Sequence, residues 1–326
     1  MNQSEPTGAP LVFIGLPVYN GGDYLEECLE SIHRQTYQNW ECAIIDNQSQ
    51  DDTNKIAEKF VRKDNRFKLY VNEKFVDQGS NWNISFSKIK KQAEYFKIVC
   101  SDDWLFDDYL ESMVQIMRGR PDVGLCSSYR IDGARVNCDG LDYYEGNYFD
   151  GRKILIRQLK NEIFVTGSAH TILYRLEALK RLQYYPEIFR DDVYHFDTLL
   201  AYDVLNISHL GFVYKVLSYT RRHNETYTAQ ISKRFKTWYY LQDMALKTFM
   251  ELDPSLPAKY KKNRLDYAYF IMSKKMRSDT ECIEWHAKYM KDKFQVRDYF
   301  LALVTRNRIT RIFKKLGDIV AHKVSR

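Results

Sequence analysis

Two adjacent aspartates, Asp102 and Asp103, are the side chains of this sequence best suited to chemistry. They follow an apolar run, residues 96–100, whose β-branched and aromatic residues predict a buried strand. Carboxylates just beyond such a strand lie where open α/β sheets bind their ligands. Paired carboxylates can also hold a hard divalent cation together with phosphate oxygens. Because adjacent loop aspartates are more often simply solvated, a metal or phosphate site needs support from the other strands.

The elements before this run alternate between strand-like and helix-like patterns. Strands are predicted to begin near residues 11, 42, 67 and 96, and the first of them is predicted to end at Pro17. Apolar residues with helical spacing fill the intervals, which is typical of a parallel sheet with helices on both faces. A fifth strand is predicted at 123–129, and a loop or hairpin at 130–150.

Polar residues follow three of these four strands, and parallel strands bring their carboxyl ends to one edge of a sheet. Tyr19, after the first strand, offers a ring for a nucleotide base. Asp46, after the second strand, can accept a hydrogen bond from a base N–H or a ribose hydroxyl. Together with Asp102 and Asp103, they predict a nucleotide site with a divalent metal, Mn²⁺ or Mg²⁺, at the carboxyl edge.

Several common signals are absent from the sequence. No G-x-G-x-x-G follows the first strand and no G-x-x-x-x-G-K-[ST] occurs, so dinucleotide-dependent redox chemistry and P-loop chemistry are disfavoured.

No window holds 18 apolar residues, so no transmembrane helix is predicted. Residues 1–9 lack a basic start and an apolar core, so we expect a short flexible leader and not a signal peptide. The six cysteines contain no C-x-x-C pair and predict reduced thiols in a cytoplasmic protein.

The charge of the chain changes character near residue 224. Residues 224–326 carry 22 Lys and Arg against 11 Asp and Glu, although the whole chain has a net charge of only +6. We therefore expect a catalytic domain at 10–224, followed by a basic helical region at 225–326 with a break at Pro254 and Pro257.

The last segment, residues 306–326, has the composition of a helix that lies on an anionic membrane surface. Its apolar residues form one helical stripe. The segment contains seven Lys and Arg residues and one acidic residue, Asp318. Packing of this helix on its own domain is the alternative. A nucleic-acid partner is disfavoured, because the cations share a helix with an apolar stripe and no known reader motif is present. The protein is accordingly expected in the cytoplasm, either soluble or peripheral on the inner face of the plasma membrane.

Five short blocks of the sequence belong together: residues 17–25, 31–37, 46–53 (D-N-Q-S-Q-D-D-T), 78–83 and 101–103 (S-D-D). Taken together, they resemble inverting family 2 glycosyltransferases of the GT-A fold. Residues 17–25 and 31–37 are similar to the opening of that family, 46–53 to its D-D-x-S-x-D-x-T block, and 78–83 to its G-x-x-x-N loop. Ser101-Asp102-Asp103 falls at the family's D-x-D position.

The similarity is dense over residues 10–120 and resumes around 160–228. It implies an α/β fold of the GT-A type, with a Rossmann-like mixed but mainly parallel sheet and helices on both faces. The basic region after residue 224 would then be a C-terminal helical extension of that domain.

The resemblance also implies roles for individual residues. In the family, an aspartate at the start of a later helix is the catalytic base, and Asp197 matches it, because its distance to residues 220–223 fits the family's Y-R-x-H block. Asp192 is the reserve candidate. Asp103 and His223 are implied to bind the metal. The residues implied to bind the nucleotide are Pro17, Tyr19, Asn20, Asp46, Asn47, Gly79, Asn83, Asp102 and Arg221.

Two positions depart from the family's pattern. Asn47 stands where a second aspartate is common, and Cys100 stands where the first aspartate of D-x-D often lies. Adjacent aspartates still occur in active relatives, so we interpret the chain as a variant enzyme in which Asp103 supplies most of the protein's coordination to the metal. His170 and His195 have no partner visible in the sequence and are interpreted as structural.

The resemblance implies a metal-dependent glycosyltransferase that transfers a sugar from a nucleotide sugar with inversion. A UDP-sugar is the leading candidate for the donor. The acceptor would be a glycan or a lipid-linked oligosaccharide of a bacterial surface polysaccharide, such as a capsule or an O-antigen. One alternative is a nucleotidyltransferase on a related sheet, although such enzymes usually carry a Gly-rich basic loop after the first strand. Another is a catalytically silent sugar-binding or scaffold protein, suggested by Asn47 and Cys100.

Overall fold

The computed structural model describes residues 8–183, 195–223 and 237–271. The chain divides into two compact units, Met1–Arg222 and His223–Arg326. The reserve base Asp192 and the predicted membrane helix at 306–326 lie outside the described residues, and both stay predictions.

The described part of the first unit contains one mixed sheet of ten strands: β1 (Leu11–Val18), β2 (Trp40–Asp46), β3 (Phe67–Val71), β4 (Ala93–Ile98), β5 (Trp104–Leu105), β6 (Val123–Asp132), β7 (Arg135–Asn137), β8 (Tyr148–Phe149), β9 (Leu173–Arg175) and β10 (His209–Thr220). The strand order is β3-β2-β1-β4-β9-β6-β10-β5, with β7 paired to β6 and β8 paired to β10. β1 to β4 run parallel, and so do β6 and β10. β9 is antiparallel to both of its neighbours, β4 and β6.

The helices of this unit follow the strands as the sequence predicts. They are α1 (Leu25–His33), α2 (Thr53–Lys63), α3 (Gln78–Ser87), α4 (Tyr109–Arg118), α5 (Gly151–Leu159), α6 (Leu176–Lys180) and α7 (Phe196–Ile207). The predicted loop or hairpin at 130–150 is the β6–β7 hairpin, followed by a short 3₁₀ turn and β8. The prediction of a mixed, mainly parallel sheet in an α/β fold is confirmed.

The alternation of side chains along β1 explains why helices cover both faces of the sheet. One face joins a buried core with apolar residues of α1, α2 and α4, and its members in β1 are Val12, Ile14, Leu16 and Val18. On the other face, a Cβ atom on Gly15 would lie 2.8 Å from Ser85 Cβ of α3. Glycine at this position therefore lets α3 pack directly on the strand.

β1 continues through Pro17 to Val18, so the prediction that the strand ends at Pro17 is wrong. The carbonyl of Gly15 accepts a hydrogen bond from Val99 N, just beyond β4. By the two-residue alternation of a strand, the nitrogen of Pro17 points to the same side. Pairing between β1 and β4 has already ended there, at Gly15 and Ile98. The missing N–H of proline thus removes no hydrogen bond from the sheet.

The described part of the second unit is helical, which confirms the predicted C-terminal helical extension. α8 (Thr237–Phe249) is followed by a 3₁₀ turn and then by α9 (Leu256–Ile271). The predicted break lies between them, with Pro254 before α9 and Pro257 in its first turn, where no N–H is needed. Within the described residues, no helix is both long enough and apolar enough to cross a membrane.

Candidate active site

The carboxyl ends of five strands meet at one edge of the sheet. β1, β2 and β4 are parallel, and two successive antiparallel pairings through β9 return β6, and with it β10, to the same direction. This edge is where sheets of this type bind ligands. The residues at or just after these five strand ends include Tyr19, Asp46, Asp103, Asp132 and Arg221.

Asp103 joins three distant segments of the chain and is almost fully buried. Its Oδ1 accepts a 2.8 Å hydrogen bond from the backbone nitrogen of Arg221, directly after β10. Its Oδ2 lies 3.0 Å from Nδ1 of His170, just before β9. Its backbone nitrogen donates to the carbonyl of Cys100, which closes a turn after β4. Contacts to both of its carboxylate oxygens therefore hold Asp103, the predicted metal ligand, in place.

His170 has partners that the sequence does not reveal. Besides Asp103, its Nδ1 lies 2.8 Å from Ser168 Oγ, and its Nε2 lies 3.4 Å from Thr220 Oγ1. The 3₁₀ turn that carries it follows Gly167, which has a φ of +61° and no room for a Cβ atom. Because β9 is inserted antiparallel between β4 and β6, its N-terminal end lies at the edge of the sheet where the other strands have their carboxyl ends. No local pattern in the sequence indicates that insertion.

A network of polar and charged side chains continues from His170 along β6 and β10. Thr220 Oγ1 accepts a 3.1 Å hydrogen bond from Arg130 Nη1, and Arg130 Nη2 lies 3.3 Å from Asp132 Oδ2. Arg222 also binds Asp132 through two nitrogens. Burial raises the pKa of Asp132, but the hydrogen bond from Arg222 and the two arginine charges outweigh burial and hold the pKa below its usual value. Two arginines against one carboxylate leave an excess positive charge beside the site.

Lys97 lies fully buried in β4, close to the turn that carries His170. Its Nζ donates to the carbonyls of His170 and Ile172, and it lies 4.4 Å from the ring centre of Tyr109. Burial lowers the pKa of Lys97 well below its ordinary value, while the neighbouring Cys100 and Asp103 act in the opposite direction. Lys97 therefore fixes the backbone that positions His170.

Cys100, Asp103 and His170 bring three metal-binding atoms together. The sulfur, one carboxylate oxygen and one imidazole nitrogen lie within 4.8 Å of one another. Asp103 and His170 are buried, whereas Cys100 is partly exposed. All three side chains are common ligands of divalent cations, so this donor set fits a bound metal ion.

Asp197, the predicted base, lies in the first turn of α7. Its Oδ2 accepts a 3.1 Å hydrogen bond from Ala169 N, next to His170. Burial raises the pKa of the Cys100 thiol well above its ordinary value, and the charges of Asp103, Asp102 and Asp197 add to this effect. Asp197 therefore lies next to His170 in the structure and close enough to Cys100 for its charge to affect the thiol.

His195 immediately precedes α7 and has a left-handed backbone, with a φ of +60°. Burial lowers the pKa of His195, and the charge of Asp197 acts in the opposite direction. His195 therefore lies within the electrostatic influence of the predicted base.

Arg221 is tied to the site by both its backbone and its side chain. Its Nε donates to the carbonyl of Asp102 at 3.1 Å, and its guanidinium group binds Glu27 at the start of α1. The guanidinium carbon lies 4.8 Å and 5.2 Å from the ring centres of Tyr24 and Trp104. Arg221 thus places a cation beside Asp102, where the resemblance implies the nucleotide.

Tyr19 and Asn20 form a turn that is bound to the loop after β2. The Tyr19 side chain is about half exposed, at 49%, and its ring contacts Phe75 edge-on at 4.9 Å. Asn20 has a φ of +48°, its backbone nitrogen donates to Ser49 Oγ at 2.8 Å, and its Oδ1 accepts from Gln50 N at 2.9 Å. These bonds hold the ring of Tyr19 at the open edge of the sheet.

Asp46 is fully buried at the end of β2. Each of its oxygens lies 3.2 Å from the backbone nitrogen of Ser49, and Oδ2 also accepts from Asn54 Nδ2 at 3.1 Å. The carboxylate therefore organises the loop that supports Tyr19. Its contact with a nucleotide stays a prediction.

The hydrogen bonds of Asn47 explain why an asparagine occupies this position, where the family commonly has an aspartate. Its Nδ2 donates to the carbonyl of Val76 at 2.8 Å, while its Oδ1 accepts from Val76 N and from Asn72 Nδ2. Asn72 Nδ2 also donates to Asn81 Oδ1 at 2.9 Å. Only an amide can donate and accept at this position, so the asparagine fixes the loop that leads into α3.

Replacing Asn47 with Asp should destabilise the protein by about 1–3 kcal/mol, because a carboxylate cannot donate and would face the Val76 carbonyl. Urea unfolding of both proteins measures the loss. Asn65→Asp, which makes the same change at an exposed turn, is the matched control and should stay within about 0.5 kcal/mol of the parent. Equal stability of the Asn47 and Asn65 variants would contradict this role for the amide.

The remaining predicted residues lie in α3 and at the start of the second unit. Gly79 is buried in the first turn of α3, and Asn83 is half-buried one turn later. Asp77 caps this helix by accepting from Ser80 N at 2.9 Å. His223 is the first residue of the second unit, and its role as a metal ligand stays a prediction.

Two named relatives share about a third of their matched residues with this chain. Glycosyltransferase GlyG of Streptococcus pneumoniae serotype 4 is 33% identical over 154 residues, which are 46% of this chain and 49% of GlyG. The putative glycosyltransferase EpsH of Bacillus subtilis is 33% identical over 139 residues, which are 42% of this chain and 40% of EpsH. The chain thus matches half or less of the length of these relatives.

Solved structures of similar fold cover most of the chain at low identity. Residues 1–349 of TarS from S. aureus align with a TM-score of 0.60 and 16% identity, over 90% of this chain and 80% of that one. A mannosyltransferase from Pyrobaculum calidifontis, solved in complex with GDP-Man and Mn²⁺, aligns with a TM-score of 0.57 and 16% identity, over 95% of this chain and 85% of that one. These similarities confirm the GT-A fold.

The sequence profile of glycosyl transferase family 2 matches residues 13–183, just over half of the chain, and this range contains Tyr19, Asp46, Asp103 and His170. The chain therefore belongs to glycosyl transferase family 2.

Proposed function

We propose that the protein is a metal-dependent inverting glycosyltransferase that moves a sugar from a nucleotide sugar to a glycan or a lipid-linked oligosaccharide. The observation that carries this proposal is the meeting of Asp103, Cys100, His170 and Asp197. The family supports the reaction class. A TarS structure in complex with UDP-GlcNAc supports a UDP-sugar as the first donor to test.

The donor would lie along the carboxyl edge of the sheet. The half-exposed ring of Tyr19 offers a stacking surface for the base. The loop of Asp46 and Asn47 and the first turns of α3, with Gly79 and Asn83, would surround the nucleoside. Arg221 would contribute positive charge to the diphosphate, where it would exchange Glu27 for phosphate oxygens.

The transfer itself would be a single displacement with Asp197 as the base. Asp197 accepts the proton of the acceptor hydroxyl, and the hydroxyl oxygen forms a bond to the anomeric carbon. The bond from that carbon to the nucleoside diphosphate breaks, and the diphosphate leaves with the electron pair. The hydrogen bond from Ala169 N holds Asp197 in position for this step. Attack and departure on opposite faces invert the anomeric configuration.

A divalent cation, Mn²⁺ in the first experiments, would offset the negative charge of the leaving diphosphate when it is bound. Asp103, Cys100 and His170 would hold it, with His223 as the further ligand implied by the resemblance. The network of Arg130, Thr220 and Asp132 would keep His170 in place.

Binding and turnover of UDP-sugars test this proposal directly. At a concentration about 100 times its Kd, a donor should stabilise the protein by about 2.7 kcal/mol, which raises Tm by several degrees. Screening nucleotide sugars by thermal shift with Mn²⁺ therefore finds the donor. Release of the nucleoside diphosphate and an inverted anomeric configuration in the product, read by NMR, are the expected results. Conversion of the nucleotide sugar and added pyrophosphate to a nucleoside triphosphate and a sugar 1-phosphate would instead favour a nucleotidyltransferase. Binding without turnover would favour a sugar-binding protein.

We also propose that the basic region at 306–326 binds an anionic membrane surface, which would bring the protein to the cytoplasmic face where lipid-linked acceptors reside. The full chain is expected to float with vesicles that contain anionic lipid and to stay unbound with neutral vesicles. Deleting 306–326 should abolish this flotation. If the truncated chain floats as well as the parent, the proposal that 306–326 binds the membrane is wrong.

A further inference from the structure

We propose that the metal position of this chain is a mixed sulfur–nitrogen–oxygen site, formed by Cys100, His170 and Asp103, that selects Zn²⁺ and Co²⁺ over Mg²⁺. The three donor atoms lie within 4.8 Å of one another. The inference deepens the proposed function, because it concerns the metal of the same site. Its test measures metal binding alone, so its failure can be told apart from a failure to transfer sugar.

The chemistry of the three donors determines this selectivity. Mg²⁺ prefers oxygen ligands in a nearly ideal octahedron and keeps several of its waters. A thiolate and an imidazole instead favour Zn²⁺, Co²⁺ and similar first-row metals. Cys100 stands at the position where a carboxylate would make the site hard, so a single residue changes the class of ion that binds best.

The hydrogen bonds of His170 orient the ring for a metal. Thr220 Oγ1 already accepts from Arg130 Nη1 at 3.1 Å, and its second lone pair can accept from His170 Nε2 at 3.4 Å. Without a metal, Nδ1 lies within hydrogen-bond distance of Asp103 Oδ2 and Ser168 Oγ. With a metal on Nδ1, the proton of the ring would lie on Nε2 and point to Thr220. Metal-bound histidines characteristically donate their other N–H to an outer partner in this way.

The distance between Nδ1 of His170 and Oδ2 of Asp103 fits the same interpretation. These atoms are 3.0 Å apart. When Nε2 carries the proton, both are acceptors, and a shared cation offsets their repulsion. A separation of 3.0 Å is compatible with two ligands of one ion whose bonds are each about 2.0–2.1 Å long.

The cluster supplies three protein donors. His170 and Asp103 are buried, and Cys100 is partly exposed as a whole residue, although its thiol is buried. In the proposed site, a water or a substrate oxygen would be the fourth ligand. Three protein ligands with one open position are typical of catalytic zinc sites, whereas structural sites are closed by four protein ligands.

Titration of the full-length metal-free protein with Co²⁺ tests the proposal. A cobalt ion bound to thiolate should show an intense near-ultraviolet charge-transfer band. An equimolar amount of Zn²⁺ should remove this band, and a hundredfold excess of Mg²⁺ should leave it unchanged. Absence of the band, or its removal by Mg²⁺ as readily as by Zn²⁺, would overturn the proposal.

Variants identify the ligands independently of enzyme activity. Cys100→Ser should abolish the charge-transfer band, and Cys42→Ala, which removes a buried thiol in β2, should keep it. Thr220→Val, which removes the outer partner of His170, should weaken Zn²⁺ binding about 10- to 100-fold in a chelator competition. Cys100→Asp should bind Co²⁺ without the band and bind Mn²⁺ more tightly than the parent. A band that persists in Cys100→Ser would assign the sulfur ligand elsewhere and refute the site.

Discussion

Replacing Asp197 with Asn is expected to lower the rate of sugar transfer by about 100- to 10,000-fold, the usual contribution of a general base. Asparagine has nearly the same shape, and its oxygen can still accept the hydrogen bond from Ala169 N. The variant therefore loses the proton acceptor while the first turn of α7 keeps its anchor. Initial rates at saturating donor and acceptor measure the loss in kcat.

The matched control is Asp203→Asn, which makes the same change later in α7. It should transfer sugar within a few-fold of the parent rate. Thermal unfolding of both variants shows whether the fold is intact, and donor binding by Asp197→Asn should stay close to that of the parent. If Asp197→Asn keeps the parental rate, the base lies elsewhere, and Asp192 becomes the first residue to test.

Replacing Asp103 is expected to give the other large effect, on both turnover and stability. Asp103→Ala removes the acceptor of Arg221 N and the partner of His170, so one partly buried and one buried polar group lose a contact. This should lower the free energy of unfolding by about 1–3 kcal/mol. The same change should reduce donor turnover about 100- to 1,000-fold, because the charge beside the leaving diphosphate is lost.

Asp103→Asn separates the two effects. The amide oxygen can still accept from Arg221 N, so stability should recover most of the loss while turnover stays low. Asp107→Asn, at an exposed aspartate whose ion pair with Arg34 lies on the surface, is the control and should change neither quantity measurably. Urea unfolding and donor turnover, measured in parallel, complete the comparison. Parental turnover in Asp103→Asn would remove Asp103 from the proposed site.

The order of strands and helices could be predicted because each carries a local pattern. The four strands that begin near 11, 42, 67 and 96, and the fifth at 123, are present as β1 to β4 and β6. Pro17 was the exception, because a proline interrupts a strand only where its nitrogen faces a paired neighbour. That neighbour is absent at Pro17, since β4 stops pairing at Ile98, and sequence alone does not show which side is paired.

The candidate site was predictable where a carboxylate follows a strand or where a family motif marks it. Asp103 is predicted from its place after the fourth strand and Asp197 through the resemblance, and the structure brings their surroundings together through Ala169 and His170. The contacts of His170 were not predictable, because its partners Asp103 and Thr220 lie 67 and 50 residues away in the chain. The same holds for Lys97, whose burial and contacts depend on the position of β9.

The sequence by itself therefore determined the α/β succession, the carboxylates at strand ends and the basic helical C-terminal region, because side-chain periodicity and composition act over a few neighbouring residues. Tertiary structure alone decided which of those residues meet. The antiparallel insertion of β9 between β4 and β6 places His170 against Asp103, and the return of β10 places Arg221 N on the same carboxylate. Long-range strand pairing controls these contacts, and it places the thiol of Cys100 beside Asp103 and His170.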